Sequence, residues 1–567
     1  MLKICIIPIF ICFSLGVFAE KVESDRVLIK KKYYKTKKTN YDTKKESLSL
    51  TKTSALFGKG IQEIYHKSIV QIKVTFQEPE YHQPWKRKNP RVRRGVGVVV
   101  EGNRILIPYS LLPDATLIEV KKYSSYSEIK AIVFRHDPES NLALLRVEKK
   151  SFFDDLIPLT FSPVVVFPKQ VNVYQLDNSG SIQTTSVTFL SMDMDQMPLG
   201  QVELPVVDVS SSEGLNGFGE VAIENGKVSG ILYDFTSGKN SGRIIPSFVI
   251  QKFIETPGAD VFGYKGFRFR PITDGSVKKY YGMEKSDSGI LVADVIPGSS
   301  ASGVLKLEDI ILEFGGKNVD SKGYIEHPLY GKQVLSFLAH SGDSFGYSLG
   351  KEIPILVLRD KKKIHLSMKL KPFPYSAVRI PFKNIPASND FAVEGGFVFL
   401  ELSEFLLEEW GKDWRSRVDR KLLYLYDYYK FHEKEGDVGK VVLLSQVLPD
   451  ESNNGFHDLS FKIVEKIDGQ DVKSVRDLKR NIRQGKSDYA LISLDDGTEI
   501  ALDRTKLTEI NERIYKSYKI RDVFRRTEIK NSLEIRKCSF GFINFTFQLK
   551  IRISCFLRTF FIYRTLL

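Results

Sequence analysis

A mainly β fold with α+β modules is predicted for this 567-residue chain. Three observations predict it. Short β-prone runs crowd residues 61–255, with one helical pattern at their end, as in a β-barrel or double barrel. Two later stretches, 263–372 and 394–507, each carry a strand, a Gly-bearing hairpin and a helix. Hydrophobic residues make up 42% of the chain and charged residues 27%, a balance that excludes a disordered chain or a multi-span membrane protein. At about 150 residues per domain, the length suits three to four domains.

The first 19 residues read as an export signal. Lys3 precedes an apolar run, Ile4 to Phe18, and Val17-Phe18-Ala19 stands before Glu20. The run is short for a membrane span, so an uncleaved anchor is the lesser reading. Cys12 is followed by Phe13, which makes no lipobox. The expected location is therefore outside the cytoplasm, in a periplasm or cell envelope. The cysteines agree. Cys5 and Cys12 lie in the signal, Cys538 and Cys555 in the tail, and 20–537 has none. A disulfide framework, a thiolate metal site and a cysteine nucleophile are excluded for that body.

Net charge is +15, but it sits at the ends. Residues 20–60 contribute +7 and 538–567 contribute +4, which with Lys3 leaves +3 for 61–537. A near-neutral body argues against nucleic acid as a partner. Residues 20–60, with KKKYYKTKK at 30–38, read as a basic flexible leader, with a surface-binding arm as the alternative.

From Ile61 the strands follow in order. Ile69–Thr75 alternates. Gly95–Val100 and Arg104–Ile107 flank the turn residues Glu101-Gly102-Asn103. Further strands are expected at Ile118–Val120, Ile129–Phe134, Leu142–Val147, Val164–Phe167, Gln170–Tyr174, Thr184–Ser191 and Val228–Tyr233. A helix is expected over Pro246–Ile254. In the first module a hairpin is expected at Glu308-Asp309-Ile310-Ile311-Leu312-Glu313-Phe314-Gly315-Gly316. Its counterpart in the second is Phe461 to Gly469. Each ends in a Gly-bearing turn. Weak similarity between the two makes them a duplicated module rather than a repeat array.

Four fragments in this order resemble the HtrA/Deg family of trypsin-like serine proteases followed by PDZ domains. Gly95-Val96-Gly97-Val98-Val99-Val100 with Arg104-Ile105-Leu106 is similar to the family's stretch before its histidine. Asp137-Pro138-Glu139-Ser140-Asn141-Leu142-Ala143-Leu144-Leu145 is similar to its D-P-x-[ST]-D-[IL]-A-L-L. Gly226-Lys227-Val228-Ser229-Gly230-Ile231 resembles its G-x-V-x-G-I, and Ile244-Ile245-Pro246 its F-A-I-P. The second module, through Gly395-Gly396-Phe397-Val398-Phe399, Gln446-Val447-Leu448-Pro449-Asp450 and Val464-Glu465-Lys466-Ile467-Asp468-Gly469, resembles the atypical second PDZ domain of a plant and bacterial Deg branch. The resemblance covers about 61–525. It implies a chymotrypsin-like double β-barrel at 61–255, a PDZ domain at 263–372 and an atypical PDZ domain at 394–525. The signal at 1–19, the leader at 20–60 and a basic apolar tail at 526–567 complete the chain.

The implied catalytic positions are empty. A serine protease needs a nucleophile, a base within reach and a carboxylate that orients the base. The family histidine maps to Ser110, which cannot take a proton near neutral pH. The family aspartate maps to Asn141. The nucleophile maps to Gly217 counting back from Gly226, or to Asn216 counting forward from Asp208. Neither carries a hydroxyl. Leu215 and Phe218 replace loop glycines that permit the oxyanion geometry. His66, His82 and His136 lie in the region. His136 reads as a surface turn residue, and His82 lies in the polar loop Tyr81-His82-Gln83-Pro84-Trp85. Ser210, Ser211 and Ser212 read as turn residues.

PDZ domains bind an extended peptide at a sheet edge beside a helix. The expected peptide site is the strand Ser288-Gly289-Ile290-Leu291-Val292 with a helix over Gly331–His340, where Val334, Leu335 and Leu338 line the pocket. The alternative is that these apolar residues are core. Gly395–Leu400 and Val475–Ile482 hold the same places in the second module. No Walker loop, HExxH or Rossmann fingerprint occurs, so no cofactor and no metal are expected. Lys361-Lys362-Lys363 reads as a solvated hairpin. The tail from Cys538 reads as a frame-shifted extension, a membrane-surface segment or an oligomer contact.

The sequence thus predicts an exported pseudoprotease of HtrA/Deg type that works by binding. Its expected partners are peptides, unfolded or envelope proteins, and further copies of itself or of active homologues. The rival expectation is an active serine endopeptidase with a non-standard site.

Overall fold

The computed structural model describes residues 65–520 apart from 124, 164, 178–180, 383–389 and 435. The expected signal, leader and tail therefore lie outside the described residues. Strands β1 (Ile69–Phe76), β2 (Arg91–Val100), β3 (Arg104–Pro108), β4 (Ala115–Lys122), β5 (Ile129–Asp137) and β6 (Leu142–Val147) close a barrel in the order β1-β2-β3-β6-β5-β4. The β2–β3 turn falls at the expected residues, with Gly102 and Asn103 both at positive φ, which these two residue types tolerate best.

A second sheet holds β7 (Thr160–Phe161), β8 (Lys169–Leu176), β9 (Ile182–Gln196), β10 (Glu203–Ser210), β11 (Val221–Glu224), β12 (Lys227–Thr236) and β13 (Ser241–Pro246). Pairing of β11 with both β8 and β12 closes β8–β13 into a second barrel, and β7 adds to β12. Helix α1 (Ser247–Glu255) follows. One continuous apolar core joins Val96, Leu106, Leu142 and Leu144 of the first barrel to the interior of the second. The strand expected at Val164–Phe167 is not formed: Val165–Phe167 is irregular, and Pro168 is preceded by a cis bond.

The first module contains β14 (Phe267–Pro271), α2 (Gly275–Tyr281), β15 (Ile290–Val295), β16 (Ile310–Phe314), β17 (Lys317–Asn318), β18 (Tyr324–His327), β19 (Gly331–Val334), α3 (Ser336–His340), β20 (Glu352–Arg359) and β21 (Lys362–Lys369). Its main sheet runs β14-β15-β16-β20-β21, and β18–β19 is a separate hairpin. The second module contains β22 (Phe391–Glu394), β23 (Phe397–Glu401), α4 (Glu404–Glu408), α5 (Trp414–Arg417), α6 (Arg420–Tyr428), β24 (Val442–Val447), β25 (Lys462–Ile467), β26 (Gln470–Asp471), α7 (Val475–Gln484), β27 (Tyr489–Leu494), β28 (Glu499–Asp503) and α8 (Leu507–Ser517). Its sheet runs β22-β23-β24-β25-β27-β28. Ser474 starts α7 by accepting the Asp477 amide at 3.0 Å, a side-chain cap for an otherwise orphaned donor.

The loop of residues 77–90 departs from its sequence reading. It is a docking hairpin rather than a free polar loop. Tyr81 stacks on Phe405 and Trp85 packs on Phe391, both in the second module. Lys88 pairs with Glu409 at 2.9 Å, and Gln446 donates to the His82 carbonyl.

Candidate functional site

The three positions singled out by sequence lie around the junction of the barrels. Ser110 sits in a single 3-10 turn that follows β3. Asn141 ends the β5–β6 turn in the left-handed region, φ 54°, where asparagine is among the few tolerated residues. Its Oδ1 accepts the Ser110 amide at 2.7 Å, and its carbonyl accepts the Tyr109 amide at 2.8 Å. Asn141 is fully buried, and its Nδ2 has no partner among the described residues. His136 is exposed at the end of β5 with its ring stacked on Tyr109.

Gly217 has φ 77°, and a Cβ there would fall 2.9 Å from the Phe235 amide nitrogen. A side chain at this position collides with backbone, so the chain path itself excludes a serine. The Asn216 side chain donates to Gln175 at 3.2 Å. Gly219 packs against Val96 and Pro108, where a Cβ would lie 2.4 Å from the Val96 carbonyl oxygen. The Val96 amide donates to the Phe218 carbonyl at 2.9 Å, tying this loop to β2.

Three consecutive amides of the loop converge on one carboxylate. Glu220 Oε1 accepts from Asn216 at 2.7 Å and Gly217 at 3.1 Å, and Oε2 accepts from Phe218 at 2.7 Å. Glu220 is 1% exposed. Successive backbone N–H groups form an anion-binding nest, and here the chain fills it with its own side chain. Sequence reasoning missed Glu220, although an acid closing a glycine-rich loop was the available signal. Ser211 is buried and its Oγ accepts the Glu213 amide at 3.1 Å, a local turn bond.

Neighbouring carboxylates tie the modules to the barrels. Glu139, two residues before Asn141, accepts the Gln201 and Val202 amides at 2.5 and 2.7 Å and the Tyr375 hydroxyl at 2.5 Å. Burial pushes its carboxyl up to about 7. His340 of α3 donates from Nδ1 to the Glu203 carbonyl at 2.7 Å and accepts the Lys265 amide at Nε2, 3.1 Å. Burial, with the Lys265 charge, holds this ring neutral well below the ordinary imidazole range. Gln333 and Ser336 also reach the second barrel, at Met192 and Glu203.

The expected peptide site of the first module needs correction. Gly289–Val292 is not an edge. Ile290 and Leu291 pair on both sides, with β14 and with β16, and Ile290 and Val292 are buried. Gly331–Val334 is a strand, and the helix is only Ser336–His340, every residue of it buried. Leu335 and Leu338 belong to the module's core. The physical reason is that β14 covers that flank of β15 and is itself the outer strand, its Phe-Arg-Phe-Arg alternation leaving Arg268 and Arg270 exposed. In the second module Gly395–Leu400 is likewise interior, and β22 is the outer strand. That edge is sealed. Tyr515 of α8 donates to the Val393 carbonyl at 2.9 Å, and Asn511 Oδ1 accepts the Gly395 amide at 2.8 Å. Buried Glu394 bridges Arg483 of α7 and Asn511 of α8.

A PDZ domain family matches residues 380–524. The chain is similar to a protein of Arabidopsis thaliana named "Putative protease Do-like 3, mitochondrial", 25% identical over 464 residues that cover 80% of this chain and 78% of that one. A DegP-like serine endoprotease of Chlamydia trachomatis, named as periplasmic, is 24% identical over 298 residues, 50% of this chain and 57% of that one. Among solved structures, the HtrA-type protease AlgW with decapeptide overlaps 54% of this chain and 96% of its own, at 19% identity and a TM-score of 0.41.

Proposed function

We propose, from the premise that the chain belongs to the HtrA/Deg family of serine proteases with a PDZ domain, that it is a pseudoprotease acting by binding peptides and unfolded or envelope proteins. The observation that carries this reading is the Glu220 carboxylate held by three loop amides. Catalysis of acyl transfer needs such donors free for the developing oxyanion. A buried carboxylate in their midst both occupies them and repels a second negative charge. At the mapped positions Ser110 is no base, Asn141 is no carboxylate and Gly217 carries no hydroxyl.

Binding falls to the outer edge of β14. A strand edge offers main-chain groups to an added strand, and exposed Arg270 favours an acidic extended segment, while Arg268 is paired with Asp294 at 2.7 Å. Export through residues 1–19 would bring the protein to envelope clients, and association with its own copies or active homologues would make it a regulator of their proteolysis.

The test uses purified full-length protein. It should neither take up a fluorophosphonate label above a heat-denatured control nor cleave unfolded casein, yet should retain casein in a pull-down. Serine-specific labelling would instead establish an active endopeptidase with a non-standard site. Failure to retain any unfolded chain would remove the binding claim.

A further inference from the structure

A cleft of about 620 Å³ opens in the second module between α5–α6 and the start of β25. It is separate from the β14 edge and from the sealed β22 edge. Its lining carries three cations, Arg417, Lys421 and Lys462, and three carboxylates, Asp419, Asp495 and Asp496. Most of these charges are spoken for. Lys421 pairs with Asp495, Lys462 pairs with Asp496 at 2.9 Å, and Asp419 accepts the Lys421 amide at 2.7 Å. Arg417 has no carboxylate partner among the described residues, and its Nη1 donates to the Trp410 carbonyl at 3.1 Å.

The lining also has an aromatic part. Trp410 and Phe461 meet edge to face at 4.5 Å and 61°. Phe461 has φ 51°, a left-handed backbone that an aromatic residue seldom adopts. Such strain persists where surrounding structure over-determines it, and it clusters at ligand clamps. Here the following residues hold it: Asp495 accepts the Ile463 amide at 2.8 Å while paired to Lys421. The result is an aromatic face set beside a guanidinium that has a backbone partner but no carboxylate partner among the described residues.

We propose that this cleft binds an extended peptide segment in which an acidic side chain neighbours an apolar one. The carboxylate meets the Arg417 fork, which suits planar two-point contact. The apolar side chain lies against Trp410 and Phe461. The balanced lining disfavours a nucleotide, whose phosphates would face three carboxylates. Arg417, Asp419, Ser460 and Asp496 are all exposed at the rim, so the cleft accepts a chain that passes through.

The probe is a blocked, fluorescein-labelled Gly-Asp-Phe-Gly peptide, titrated by anisotropy against the full chain at low salt. Saturable binding is expected. An Asp-to-Asn peptide and the Arg417→Gln variant should each weaken it about tenfold or more, the size of a lost charged hydrogen bond. Combining the two should cost no more than either alone. Arg417 is exposed, so the variant should unfold at the wild-type temperature. Equal affinity for the Asp and Asn peptides overturns the proposal. So does undiminished binding by the variant, an additive double loss, or no saturation by about 1 mM peptide. Binding confined to peptides with a free C-terminus overturns the passing-chain occupant.

Discussion

Asn141 Oδ1 accepts the Ser110 amide at 2.7 Å, so the two residues that the sequence resemblance maps to a protease's acid and base are joined through a backbone amide. This bond fixes the 3-10 turn after β3 to the β5–β6 turn. Asn141→Ala loses the acceptor and forces alanine into the left-handed region, with an expected loss of about 2 kcal/mol. Asn141→Gly removes the same bond without the backbone penalty and should lose less. Urea unfolding of both variants checks the order.

Glu220→Ala leaves three loop amides without their side-chain acceptor. The expected destabilisation is about 2–4 kcal/mol, and added acetate should recover part of it by entering the vacated nest. If denaturant midpoints are unmoved by the substitution, the nest does not hold the loop.

Glu139 gives stability a specific pH dependence. Its folded pKa, about 7, lies above the ordinary glutamate value. The fold therefore favours the protonated form. Its contribution is fully present below about pH 4.3 and is lost as pH rises through 7. Glu139→Gln should flatten the fall in unfolding free energy between pH 5 and 7, a change of roughly 3 kcal/mol at most. Chemical denaturation across that range reads it.

His340 acts in the opposite sense. Burial depresses its pKa, so the neutral ring is favoured and its contribution stands above about pH 6.5 and is lost as pH falls. Acidification should loosen α3 from the second barrel. Hydrogen exchange should show residues 333–345 gaining amide exposure at pH 5 relative to pH 7.5, corrected for intrinsic rates. A His340→Gln variant should lose most of that difference.

Trp85→Ala removes the ring that packs on Phe391. Because Trp85 is half-buried, a cost of about 2 kcal/mol is expected. Limited proteolysis should then cut within residues 77–90 faster than in the parent protein.

Much of the barrel was legible because its strands announce themselves locally. Leu142–Val147 is a compact apolar run and forms β6 with those bounds, and Pro246–Ile254 forms α1 within a residue. Strand β10 was not, because Pro205 interrupts an otherwise strand-like stretch. The outer strand of the first module was misread because Ile290–Val292 has the stronger β-prone composition, while the charged alternation of β14 marks exposure. Trp85 reads as loop in the sequence because its partner, Phe391, lies some three hundred residues away. No local pattern reports such a contact.

The hairpin of residues 77–90 also sets a timetable for biosynthesis. Its partners are separated from it by 321 residues between Lys88 and Glu409 and 364 between His82 and Gln446. At about 5–20 residues per second, roughly 15–60 s pass between the emergence of Trp85 and that of Phe391. Through that interval the nascent barrel displays Tyr81 and Trp85 uncovered, a sticky handle on the ribosome-bound chain. Maturation is then gated by the arrival of the last module rather than by closure of the first.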